Sequence, residues 1–283
     1  MPGTLFVVST PIGNLEDITL RALRVLREVS LVAAEDTRHT GRLLSHFEIS
    51  TPTTSFYEQN EASRLPMLLR RLEGGQSIGL VSDAGTPGIS DPGYRLVRAA
   101  LDAGFRVEAI PGPSAILTAL VASGLPTHSF TFLGFPPPRP AARDRWLADL
   151  ASRAETTIFF EAPHRIRETL EAAGRVLGDR EVVVCRELTK LHEELLRGPV
   201  SRVLPSLAAP RGEFTVLVSP APPRPAPGVL PDADMLLQEF EELAETGASP
   251  SRRAAVSILA QRYGLPSREV YAAIERARGK TRT

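Results

Sequence analysis

Glycine and proline are unusually dense in one segment of the sequence, residues 82–93, which reads SDAGTPGISDPG. Glycine lets the backbone come close to a ligand, and Asp83 near the start of the segment offers a carboxylate to hydroxyl or ammonium groups. This composition favours a ligand-binding loop. The alternative is an ordinary strand-to-helix loop in which Asp91 caps the next helix.

A second loop of this kind, residues 111–115, reads PGPSA and places Ser114 at the expected start of a helix. Serine is a preferred helix N-cap, and the exposed N–H groups of a helix start bind anionic or polar groups. Capping and ligand contact are compatible, so Ser114 is a candidate for both.

Both loops follow short apolar runs that alternate with amphipathic segments, a pattern typical of a parallel sheet with crossover helices. Ligands of such sheets bind outside the carboxyl ends of the strands. The sequence therefore predicts an α/β fold, with one α/β domain at 1–125 and a second at 126–219. Six prolines at 220–231 predict a stiff linker, and apolar stripes at helical spacing predict a helical, helix-turn-helix-like tail at 232–283.

Composition excludes several classes of protein. The single cysteine, Cys185, excludes a disulfide scaffold and a cysteine-rich zinc site, and no metal site is predicted. No apolar run approaches the roughly 18 residues of a membrane span. We therefore expect a cytoplasmic protein with no membrane partner.

An N-terminal segment and six further blocks carry a family resemblance. Residues 9–19, reading STPIGNLEDIT, look like the signature of the tetrapyrrole-methylase-like (class III) methyltransferases, in their ribosomal RNA branch. Six blocks match that branch in order, and the tail resembles its extra C-terminal domain. The blocks are residues 34–40, 82–93, 111–115, 160–165, 185–190 and 212–215.

The resemblance implies S-adenosylmethionine as methyl donor, bound in a cleft between the two α/β domains. It also implies methylation of a cytidine ribose 2′-hydroxyl in the decoding region of 16S rRNA, in the small ribosomal subunit, by a homodimer. The corrin and haem branches carry Gly-Asp-Pro where this chain has Asp83-Ala84-Gly85, which favours the RNA branch. Two alternatives stay open: a tetrapyrrole-type small-molecule methyltransferase, and a non-catalytic RNA-binding module of ribosome assembly.

Carried over residue by residue, the resemblance implies a donor site of twelve residues. They are Pro11, Ser82, Asp83, Ala84, Gly85, Ile89, Ser114, Ala115, Phe160, Glu161, Glu213 and Phe214.

A ribose hydroxyl is a weak nucleophile, so a nearby base or cation should assist the transfer. Polar clusters supply four candidates: Asp36, Arg38, His164 and Lys190. Lys190 stands out as the only lysine in the first 279 residues, because a lysine buried near other cations can lose its proton whereas arginine cannot. Chance survival of a surface lysine is the alternative.

The zero net charge hides an uneven distribution of charge. Residues 229–248 hold six acidic and no basic side chains, whereas 249–283 hold eight basic and two acidic ones. Because screening acts over about 8 Å, a local basic face can bind phosphates, unless the two segments simply pair with each other. Arg165 and Arg186 can likewise bind phosphate or pair with Glu161 and Glu187. The candidate RNA-binding residues are Arg165, Arg186, Arg252, Arg253, Arg262 and Arg268.

Overall fold

The structure is a computed structural model that describes residues 1–207, 211–222, 230–245 and 252–280. Contacts divide the chain into two units, Met1–Pro220 and Ala221–Thr283. The first unit contains both α/β halves. The predicted linker falls mainly on residues 223–229, which lie outside the described residues.

The first half of unit 1 is built on a parallel sheet of five described strands in the order β3-β2-β4-β1-β5. Four strands coincide with the apolar runs, and the predicted α/β class is confirmed. The strands are β1 (Thr4–Val8), β2 (Leu31–Ala34), β3 (Thr53–Ser55), β4 (Ile78–Val81) and β5 (Arg106–Ile110). The helices are α1 (Leu20–Glu28), α2 (Thr37–His46), α3 (Glu61–Glu73), α4 (Tyr94–Asp102) and α5 (Ala115–Ser123).

Strand register brings the candidate loops together. Val7 of β1 is paired with Leu80 of β4, and Val8 is paired with Ile110 of β5. These three strands therefore end at one edge of the sheet, where the chain continues into residues 9–14, 82–93 and 111–114.

The second half is built on a mixed sheet in the order β6-β7-β10-β8-β9, in which β6 and β7 are parallel and the other pairs antiparallel. Its strands are β6 (Phe130–Phe132), β7 (Thr156–Glu161), β8 (Glu181–Arg186), β9 (Glu194–Pro199) and β10 (Phe214–Val218). Its helices are α6 (Pro140–Leu150), α7 (Ile166–Leu177) and α8 (Val200–Ser206).

One apolar cluster joins the two halves of unit 1. Leu120 of α5 and Ile12 of the first loop pack with Ile158, Cys185 and Leu217 of the second sheet. Burial of apolar surface stabilises a folded protein by about 25 cal/mol per Å², so separating the two halves would expose this cluster and cost free energy. The shared core therefore holds the first-half loops against the second sheet.

Unit 2 is a separate helical unit with its own core. It consists of α9 (Ala233–Glu245), α10 (Arg252–Tyr263) and α11 (Ser267–Lys280). Leu236, Leu259 and Ile274 are almost completely buried in it. Among the described residues of the whole chain, none of the helices has the length and apolar character needed to cross a membrane.

Candidate functional site

The loops that follow β1 and β4 are joined backbone to backbone. The Thr10 amide donates to the Gly85 carbonyl at 2.8 Å, and the Gly85 amide donates to the Thr10 carbonyl at 3.0 Å. The Thr10 hydroxyl also donates to the Ser82 carbonyl at 3.1 Å. The two loops therefore form one continuous wall rather than two independent turns.

The end of the 82–93 loop requires glycine. Gly93 has a φ of 134°, and a Cβ there would lie 2.9 Å from Cδ2 of Leu80. Its amide donates to the buried Glu61 carboxylate at 2.9 Å, and α4 begins at the next residue without a side-chain cap. The alternative in which Asp91 caps α4 is therefore wrong.

The 111–115 loop ends as predicted, with Ser114 as the N-cap of α5. Its Oγ accepts a hydrogen bond from the Leu117 amide at 3.5 Å. A Cβ on Gly112 would lie 2.9 Å from Cβ of Ser9, so this loop packs directly against the end of β1. The capping role of Ser114 is confirmed.

A cavity of about 580 Å³ opens between these loops and the second sheet. Small-molecule sites usually occupy about 300–1,000 Å³, so this volume suits a ligand of that class. Nine of the twelve residues expected at the donor site line the cavity: Ala84, Gly85, Ile89, Ser114, Ala115, Phe160, Glu161, Glu213 and Phe214.

The other three expected residues do not line the cavity, and two of them, Ser82 and Asp83, instead hold the loops in place. The Ser82 hydroxyl donates to the Ala84 carbonyl at 3.3 Å. Oδ1 of Asp83 accepts from the Asp36 amide at 3.0 Å, which ties the loop after β2 to the loop after β4. Pro11 is buried, and its neighbour Ile12 lines the cavity instead.

Twelve further residues line the cavity beyond the expected nine, and four of them bear most on its chemistry: Asp91 and the aromatic residues Phe130, Phe132 and Phe135. The rings of Phe132 and Phe135 lie 4.8 and 5.7 Å from the ring of Phe160. The clustering of phenylalanines at 130–135 is a signal for an aromatic wall. It does not by itself show that Phe160, in another strand, completes that wall.

The cavity is acidic. Within the described part of the chain, its lining includes three acidic residues, Asp91, Glu213 and Glu161, and no lysine, arginine or histidine, although the side chain of Glu161 is itself fully buried. Burial raises the pKa of Asp91 to about 6, with further contributions from the nearby carboxylates Glu35 and Asp83. An uncompensated negative charge of this kind favours a cationic ligand.

Lys190 bridges both halves at one side of this site. Its Nζ donates to Glu187 at 2.9 Å and to Glu213 at 3.0 Å. Its stem packs so closely on the first loop that a Cβ on Gly13 would lie 2.4 Å from Cγ of Lys190. Partial burial disfavours the ammonium, but the two carboxylates outweigh it and raise the pKa of Lys190. The expectation of a lysine among cations, able to lose its proton, is corrected: Lys190 stays charged and holds Glu213.

The other catalytic candidates lie outside the cavity lining. Asp36 caps α2 by accepting from the Arg38 amide at 2.8 Å, and the Arg38 guanidinium donates to both of its oxygens. Those hydrogen bonds hold the pKa of Asp36 well below its usual range, so this carboxylate is a poor base. His164 is exposed in the turn after β7, next to the cavity residue Pro163.

The two arginines of the second half that were expected to bind RNA are held in ion pairs. Arg165 donates through Nε and Nη2 to Oε1 of the fully buried Glu161, at 2.8 and 2.6 Å. Arg186 pairs with Glu194 at 3.1 Å rather than with Glu187. Both guanidiniums thus have a structural role that competes with phosphate binding.

In the helical unit, a groove of about 460 Å³ gathers arginine side chains from α10 and α11. Arg252, Arg253 and Arg268 line it, and they form no ion pair with any described residue. Tyr271 lies beside them with 56% of its surface exposed. Arg262 is not among the residues that line this groove, and it pairs with Glu239 at 2.7 Å.

Comparison with known proteins places this geometry in a family. The family model of the tetrapyrrole (corrin/porphyrin) methylases matches residues 4–204. The chain belongs to this family. Two relatives of this methylase are both named ribosomal RNA small subunit methyltransferase I. The one from Synechocystis sp. is 44% identical over 95% of this chain and 96% of its own length. The one from Micromonospora olivasterospora is 46% identical over 95% and 85%.

Solved structures share the methylase fold at low sequence identity. Uroporphyrin-III-C-methyltransferase from Thermus thermophilus is 22% identical, with a TM-score of 0.55 over 77% of this chain and 94% of that one. The methyltransferase CobJ is 21% identical, with a TM-score of 0.58 over 77% and 95%. At this level of identity the likeness establishes the fold alone.

Proposed function

We propose that this methylase transfers a methyl group from S-adenosylmethionine to the ribose 2′-hydroxyl of a cytidine in the decoding region of 16S rRNA. The observation that carries the proposal is the extent of the similarity to the ribosomal RNA small subunit methyltransferases I. The alignment with the Synechocystis relative spans 272 residues, more than the whole of Met1–Pro220. It therefore includes most of the helical unit, whereas the family model ends at residue 204.

The cavity has the properties that a donor of this kind requires. S-adenosylmethionine carries a positive sulfonium, and Asp91 in the cavity lining has no ion pair with any described residue. Phe160, with Phe132 and Phe135 beside it, offers apolar surface for an adenine ring. When bound, the donor supplies an already activated methyl group. The protein's contribution is then mainly to hold the donor and the hydroxyl in line.

The helical unit supports the RNA side of the proposal. The guanidiniums of Arg252, Arg253 and Arg268 can each donate paired hydrogen bonds to phosphate. Exposed Tyr271 in the same groove offers a ring on which an unpaired base can stack. Phosphate contact together with base stacking is typical of single-stranded RNA recognition. A cytoplasmic location follows from a ribosomal substrate.

We further propose a homodimer, through the exposed apolar face of α5. Val121 is 74% exposed and Leu117 53% exposed on this helix, and their burial against a second copy would remove apolar surface from water. Light scattering should give twice the chain mass for the unmodified protein and a single chain mass for Val121→Glu. A monomeric unmodified protein would contradict the dimer.

The experiment that tests the methylation maps modified nucleotides. Small subunits that lack methylation in the decoding region are incubated with the protein and labelled S-adenosylmethionine, and 2′-O-methyl groups are located along 16S rRNA. We expect label at one cytidine of the decoding region, suppressed by excess S-adenosylhomocysteine. Unlabelled rRNA, or label on another nucleotide, would contradict the proposal.

A further inference from the structure

Asp91 differs from the other two carboxylates that line the cavity. Glu161 is paired with Arg165 at 2.6 Å, and Glu213 with Lys190 at 3.0 Å. Asp91 has no ion pair with any described residue, and the cavity lining described contains no cation that could supply one. Its charge inside the cavity is therefore uncompensated.

The groups around Asp91 increase this imbalance. The charged side chains that act on it are carboxylates: Glu35 and Asp83 from the loops after β2 and β4, and Glu213 from the second half. The nearby Ser82 hydroxyl favours the charged form, although its hydrogen is donated to the Ala84 carbonyl. Burial and repulsion together raise the pKa of Asp91 to about 6, so near neutral pH the cavity holds a carboxylate that a cationic ligand would stabilise.

The donor and its product differ in charge at only one atom. Transfer of the methyl group converts the sulfonium into a neutral thioether, while the amino acid and adenosine portions are unchanged. A carboxylate without a partner attracts the sulfonium and gains nothing from the thioether. We propose that Asp91 is the specificity-determining counter-charge that makes this cavity bind the sulfonium donor more tightly than the thioether product.

This inference rests on the proposed function, because it takes S-adenosylmethionine as the ligand, but it is tested by binding rather than by activity. An opposite charge within about 4–6 Å shifts a carboxyl pKa by one to three units, and one unit corresponds to a tenfold change in binding. Because Asp91 is partly exposed, we take the lower limit of this range, a shift of about one pKa unit. The donor-to-product affinity ratio should then change about tenfold.

The experiment titrates the full-length protein with S-adenosylmethionine and with S-adenosylhomocysteine by calorimetry between pH 5 and 7. For the unmodified chain, the affinity ratio should rise about fivefold from pH 5 to pH 7, as Asp91 loses its proton. Asp91→Asn should weaken the donor about tenfold and the product less than threefold, and it should abolish the pH dependence. Asp91→Glu should keep the ratio, and so should Asp102→Asn, on the exposed face of α4.

Three results would overturn the inference. A flat ratio across this pH range in the unmodified protein would do so without any variant. If Asp91→Asn weakened the binding of both ligands equally, Asp91 would contact a group that donor and product share, not the sulfonium. If the unmodified chain bound neither ligand, the proposed function would fail, and this inference with it.

Discussion

Replacing Arg165 tests whether this side chain supports the fold or is held available for RNA. Glu161 has no exposed side-chain surface and accepts four hydrogen bonds, two of them from Arg165. Arg165→Met keeps most of the volume but leaves a buried carboxylate with only the Ala162 amide and the Thr169 hydroxyl as donors. Removing one partner of a buried pair costs about 3–5 kcal/mol, and we expect Arg165→Met to lower the free energy of unfolding of unit 1 by this amount.

The control for this variant is an exposed ion pair. Arg175 is 63% exposed and lies 3.8 Å from Asp144, so Arg175→Met should cost less than about 1 kcal/mol. Combining Arg165→Met with Glu161→Gln should cost less than the sum of the single changes, because the uncompensated charge is gone.

Urea denaturation followed by tryptophan fluorescence measures the effect. Trp146 is the single tryptophan of the chain, and its ring lies 5.2 Å from that of Phe159 in β7, so it reports on the half that contains the pair. A loss below 1 kcal/mol for Arg165→Met, accompanied by a loss of RNA affinity, would refute the structural role and restore Arg165 as an RNA contact.

Further predictions concern backbone strain, stability against pH, and thiol reactivity. Gly212→Ala should destabilise unit 1 by about 1–3 kcal/mol in urea, because φ is 86° and the new Cβ would lie 2.4 Å from Oε1 of Glu187; no loss would contradict the turn geometry. The raised pKa of Asp91 means that the folded state binds its proton more tightly than the unfolded state, so this stabilisation is complete below about pH 4 and is lost as pH rises through 6. Without ligand, Asp91→Asn should therefore melt at a higher temperature than the unmodified protein at pH 7.5 and at the same temperature at pH 4, and a lower melting point at pH 7.5 would contradict this. Burial raises the pKa of Cys185 to about 12, so at pH 8 a thiol reagent should label the protein in urea but not in its folded state; rapid labelling of the folded protein would contradict that burial.

Local signals in the sequence predicted the sheet edge well. The apolar runs at β1, β2, β4 and β5 and the serine that caps α5 depend on neighbouring residues alone. The strand β3 was not predicted, because its three residues, Thr53–Ser55, are polar and too few to show a pattern. It forms because the parallel edge of β2 gives it a hydrogen-bonding partner.

The parts of the site that depend on long-range pairing could not be predicted. Glu187 is three residues from Lys190 and could be inferred as its partner, but Glu213 is 23 residues away in sequence and meets Lys190 only in the folded protein. The carboxylate of Asp91 could not be placed in the cavity from its sequence neighbours. Asp91 does not cap α4, because the Gly93 amide at the start of that helix donates instead to Glu61. Glu61 lies 32 residues before Gly93 in the sequence.

The most direct test of the cavity as the donor site is a titration of S-adenosylmethionine into a variant whose cavity is filled. Ala115, the first residue of α5, lines the cavity, so Ala115→Trp should occupy part of its volume. Ala148→Trp adds the same bulk on the exposed surface of α6. We predict one donor bound per chain for the unmodified protein and for Ala148→Trp, and at least tenfold weaker binding for folded Ala115→Trp. Equal donor affinity in all three proteins would show that the donor binds elsewhere.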